Sequence, residues 1–105
     1  MVATPTHDHH VYGEVDNVRD LREIFGKIRH DVERADSRDE LTELYRRAGY
    51  LVTLSFAPAW KKKFGDQIDE IRRVAEEEFA KTARAINKRA EEIGTEPDYD
   101  EKWGD

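Results

Sequence analysis

The chain contains no cysteine. That removes a disulfide framework, a thiolate nucleophile and any cysteine-based zinc site. No apolar run approaches the roughly 18 residues needed to span a bilayer, and the N-terminus lacks the apolar stretch of a signal peptide. A cytoplasmic protein with no membrane partner is therefore expected. Glycine is sparse, and the six residues are scattered singly, so no loop has the form that cradles a phosphate. There are no internal repeats. Ser37 and Ser55 have no histidine placed to activate them, which leaves nucleophilic catalysis without a candidate.

A basic field is missing too. The net charge is −6, and residues 91–105 hold seven acids against the single base Lys102. Residues 1–90 are then neutral, with 17 acids and 17 bases. A neutral body argues against nucleic acid as a partner, because phosphate binding needs a positive surface. The acidic end stands apart from the rest of the chain.

What is present is charge and helical period. Hydrophobic residues make up 37% and charged residues 40% of the 105 positions. That balance can mean disorder, but the charges are mixed in sign and the apolar residues recur at helical spacing. Val18, Leu21, Phe25, Ile28, Val32 and Ala35 form one stripe, with Ile24 broadening it, and Asp16 or Asn17 can cap the start. Gly26 lies off this stripe without a sequence reason. "SRDE" at 37–40 has the form of a capping box, so a second helix is predicted from Arg38 after a short connection. Its stripe is Leu41, Leu44, Tyr45, Ala48, Leu51, Val52 and Ser55.

Pro58 disfavours helix at Ala57 and suits the first turn of a new one, so "PAWKKKF" is predicted as a short helical corner closed by Gly65. Asp66 can cap the long helix after it. This third long helix carries Ile68, Ile71, Ala75, Phe79, Thr82, Ile86, Ala90 and Ile93, and Gly94 fits the position just past its end. Pairs four apart on its outer face (Arg73 with Glu77, Glu77 with Lys81, Lys88 with Glu92) add weak support. "YLVTLSF" at 50–56 also alternates like a strand, but no partner strand is available, and helix is preferred.

The expected fold is all-α: an antiparallel helical hairpin plus a long third helix, a small bundle completed by dimerisation. The expected division is a flexible arm (1–15), a helical bundle (16–94) and an acidic tail (95–105). Dimerisation is expected because the hairpin helices are shorter than the third helix, which should leave Ile86, Ala90 and Ile93 in water. The broad end of the second helix, with Tyr50, Leu54 and Phe56 off its stripe, poses the same problem.

The function expected from this is non-enzymatic: a small interaction module or accessory subunit that binds itself or a protein partner, with no cofactor. Its candidate binding residues are Tyr50, Phe56, Trp60, Lys61, Lys62, Lys63 and Phe64, with Tyr99 and Trp103 from the acidic tail. Trp60 and Phe64 can equally fold inward and close the core. The alternative is a metal-binding protein or a magnesium-dependent nucleotide hydrolase. Imidazoles at His7, His9 and His10 suit transition metals, and His30 shares a helix face with Glu33. Glu40-x-x-Glu43 and Asp66-x-x-Asp69 are superficially similar to the acidic pairs with which all-α pyrophosphohydrolases hold magnesium. Capping accounts for Glu40 and Asp66, however, and neither Glu40 nor Glu43 lies on the apolar stripe, so no family is assigned.

Overall fold

A computed structural model describes residues 14–96, all helical apart from short connections. The elements are α1 (Val18–Arg34), α2 (Arg38–Ser55), α3 (Pro58–Phe64), a 3₁₀ turn at Gly65–Gln67, and α4 (Ile68–Ile93). No strand occurs among the described residues, and 50–55 continue α2.

Local chemistry sets the boundaries. Asn17 caps α1 by accepting the Asp20 N–H at 2.9 Å, while Asp20 Oδ2 takes the N–H of Asp16 at 3.0 Å. The start of α2 repeats this device: the Ser37 hydroxyl accepts from Glu40 N–H, and Glu40 Oε1 takes the N–H of Asp36. Each pair satisfies one N–H that the helix start leaves without a partner and the N–H of the residue just before the cap. At the far end of α2, Arg72 of α4 donates to the Ser55 carbonyl at 2.8 Å. Ala57 is extended, as a residue before proline must be, and Pro58 opens α3. Gly65 closes α3 at φ 56°, a conformation that suits glycine. Gly94 adopts φ 76° after α4, where Gly94 N–H bonds Glu91 O and Thr95 N–H bonds Ala90 O. That is the Schellman arrangement. Asp66 does not cap α4: the 3₁₀ turn leads directly into the helix, and Gln67 at the cap position makes no side-chain bond.

The helix α4 is the spine. It packs against both α1 and α2, and more extensively than those two pack against each other. Arg22 and Arg29 of α1 meet residues 78–82 of α4, while Ala35 meets Arg89. These contacts advance together, so α1 runs parallel to α4. Ser55 meets Arg72 and Arg38 meets Glu96, so α2 runs antiparallel to both. The core joins Leu21, Ile24, Phe25, Ile28 and Val32 of α1 to Leu41, Ala48 and Leu51 of α2 and Ile71, Val74, Ala75 and Ile86 of α4. Val15 is also buried, and its carbonyl accepts from Lys63 Nζ.

Two sequence expectations are corrected by the packing. Ile86 and Ala90 are buried and Ile93 is half-buried, so the end of α4 does not lie bare. The α1–α2 connection closes over it: Arg89 donates to the Ala35 carbonyl at 2.9 Å and lies 3.5 Å from Asp36, and Arg38 donates to the Glu96 carbonyl. The short α3 covers the other end, so comparing helix lengths overstates the uncovered surface. The second correction concerns the α4 stripe. Phe79 is half-buried, whereas Val74 and Glu78 are buried, so the buried face is turned toward α1.

Candidate functional site

Two charged or aromatic constellations stand out. The first is inside. Glu78 is 2% exposed, the most deeply buried charged side chain among the described residues. Arg22 Nη1 reaches its Oε2 at 3.1 Å, Lys81 Nζ reaches the same oxygen at 3.3 Å, and Arg29 Nη1 lies 2.9 Å from Oε1. Arg29 also donates to the Thr82 hydroxyl at 3.3 Å, and that hydroxyl donates to the Glu78 carbonyl at 2.8 Å. No donor is aligned on Oε1, so Arg29 holds that oxygen by charge. Burial pushes the Glu78 carboxyl up. The Arg29 guanidinium and the Lys81 ammonium outweigh it, and the carboxyl stays below its ordinary range. An ionised carboxylate held by three cations is a poor proton donor or base. The cluster joins α1 to α4 and fixes their parallel register.

Sequence reasoning missed this cluster. Spacing pairs Lys81 with Glu77, four residues away, but Lys81 turns to Glu78, while Arg73 pairs with Glu77 as expected at 3.0 Å. Glu92 pairs with Arg89 rather than Lys88. One signal was available: Arg22 and Arg29 are seven apart on one face of α1, bordering its apolar stripe.

The second constellation is the corner where α2 turns into α3. Phe56 is 54% exposed, the one large hydrophobic side chain so exposed among the described residues. The Arg72 guanidinium lies 4.9 Å from its ring centre. Trp60 is half-buried and meets the ring of Phe64 edge-on at 5.3 Å. Phe64 is a core residue. Lys63 is drawn to the start of α1, where it pairs with Asp16 at 3.1 Å. Lys61 and Lys62 are exposed and make no ion pair with any described residue. Tyr50 is half-buried on α2. The corner therefore gathers Phe56, Trp60, Lys61 and Lys62 at the surface and leaves Phe64 inside. Tyr99 and Trp103 lie outside the described residues.

The metal candidates are dispersed. His30 and Glu33 are both exposed on α1, and among the described residues no three metal-ligating side chains converge. His7, His9 and His10 lie outside the described residues. Glu40 and Glu43 line an open groove of about 450 Å³ between α1 and α2 with Asp31, Arg34, Asp39 and Arg47. Glu43 is engaged there by Arg46 and Arg47. Asp66 and Asp69 sit at the opposite end of the bundle, because the start of α2 lies beside the end of α4. The two acidic pairs therefore form no common site. No helix among the described residues is long and apolar enough to cross a membrane. Comparison with protein families, with curated proteins and with solved structures gave no match.

Proposed function

We propose that this protein is a non-enzymatic helical interaction module that associates with a second copy of itself through the α2–α3 corner. The observation that carries the reading is Phe56, the one large hydrophobic side chain more than half exposed among the described residues. Four to six residues on, in α3, stand half-exposed Trp60 and the exposed lysines Lys61 and Lys62. An aromatic anchor with a cationic rim is the composition of an interface centre. Self-association is the simplest use, since a two-fold interface lets one patch serve both chains.

The test is sedimentation of the full chain over a range of concentrations, beside Phe56→Ser. The wild type should exceed its 12.3 kDa monomer mass as concentration rises, and the variant should not, with helical circular dichroism unchanged. A full chain that stays monomeric at every concentration would overturn the reading.

A further inference from the structure

The sequence beyond Glu96 matches the exposed corner in chemistry. It reads Pro97-Asp98-Tyr99-Asp100-Glu101-Lys102-Trp103, two aromatic residues set among three acids and one base. The corner offers the complement: Phe56 and Trp60 as apolar contacts, and Lys61 and Lys62 as cations with no described counter-ion. Two acids of this end are engaged elsewhere, Asp16 with Lys63 and Asp69 with Arg72.

Reach decides which tail can use the corner. The 26 residues of α4 separate the corner from Glu96, roughly 39 Å of helix at about 1.5 Å per residue. Trp103 is seven residues past Glu96, so it extends at most about 25 Å beyond it. The tail falls short of its own corner. A second copy laid antiparallel along the bundle brings its corner next to this tail, and the same contact repeats by symmetry.

We infer that residues 97–103 of one chain dock on the Phe56–Lys62 corner of a second copy, with Tyr99 and Trp103 against Phe56 and Trp60 and the tail acids against Lys61 and Lys62. The inference rests on the self-association reading above and names the segment that supplies it. The competing occupant is the chain's own N-terminal arm, which leaves from Val15 beside Lys63. Residues 1–13 carry one acid, Asp8, among three histidines, a poorer match for two lysines.

The experiment mixes full-length chains of natural and ¹⁵N isotope content and couples lysines to carboxylates with a zero-length carbodiimide. Mass spectrometry then reads the joined peptides. Mixed-isotope pairs joining Lys61 or Lys62 to Asp98, Asp100 or Glu101 are expected. The double variant Lys61→Glu, Lys62→Glu should raise the dimer dissociation constant about tenfold, the effect of losing a few surface charge pairs in each of two equivalent contacts. Mixing it with Asp98→Lys, Asp100→Lys, Glu101→Lys chains should recover association. A dimer that Phe56→Ser abolishes, but whose Lys61 and Lys62 couple only to Asp8 or Glu14 of their own chain, overturns the tail inference and leaves the interaction module standing. So does a lysine double variant that dimerises like wild type. A full chain that never dimerises overturns both.

Discussion

The Glu78 cluster and the α2–α3 corner use the same kinds of side chain to opposite ends. In the cluster, Arg22, Arg29 and Lys81 converge on one buried carboxylate between α1 and α4. In the corner, Lys61 and Lys62 face water, and Phe56 stands out from the surface under a single arginine. Cations surrounding a buried acid hold this chain together. On the reading proposed above, cations near an exposed ring leave capacity for another chain. A change inside the cluster should therefore alter stability, and a change at the corner should alter assembly.

The sharpest way to break that division is Glu78→Ala. It removes the carboxylate shared by Arg22, Arg29 and Lys81 and leaves a cavity between α1 and α4, and about 3 kcal/mol of unfolding free energy should be lost, read from urea denaturation. Glu78→Met should cost clearly less, since a packed apolar side chain lets the partly exposed cations turn to water. If the two variants are equally destabilised, the lost carboxylate rather than the lost packing volume sets the cost.

Acid should act in the same place. The Glu78 carboxyl sits below its ordinary value of 4.5 in the folded chain. Its contribution is therefore fully present above that unfolded value and is lost as pH falls through the lower folded value. The stability gap between wild type and Glu78→Gln should close as pH is lowered from 4.5 through the folded value below it, measured by urea midpoints across a pH series. A gap that is constant with pH would show that the pairing does not depend on ionisation.

Smaller effects locate the boundaries. Gly94→Ala forces a side chain into the left-handed conformation that ends α4, and about 1 kcal/mol should be lost. Gly26→Ala should stabilise by up to about 1 kcal/mol, because a Cβ there meets no atom within 4 Å and α1 gains helix propensity. Gly26 lies between Arg22 and Arg29 on one face of α1, so a loss instead would mean that the arginines need the bare backbone to reach Glu78. At the corner, Lys61→Glu with Lys62→Glu should change unfolding free energy by less than about 0.5 kcal/mol. A larger drop would join the corner to the core and end the comparison.

Much of the fold was legible in the sequence because it is written in local chemistry. Asn17, Ser37 with Glu40, Pro58, Gly65 and Gly94 each mark a boundary through one backbone requirement. The periodic apolar residues then place the core to within a turn of the right face. The features that were not legible depend on neighbours. Whether Ile86 and Ala90 are covered depends on where the α1–α2 connection lies, and helix length alone does not reveal that. Glu78 looked like one more acid on a charged outer face, because burial of a carboxylate is decided by the arginines of another helix. The corner was legible as a set of residues. Its division into an inward Phe64, an engaged Lys63 and an exposed Phe56 came only from the packing of α3 against α4 and α2 and from the contacts of Lys63 with Val15 and Asp16.

The most direct test is the urea midpoint of full-length Phe56→Ser against protein concentration, from about 1 to about 100 µM. A chain that closes its own core, and associates only through the corner, should unfold at one midpoint across that range, because nothing links its stability to mass action. A midpoint that falls steadily on dilution would contradict the account, for it would mean that a second chain completes the core through a different surface.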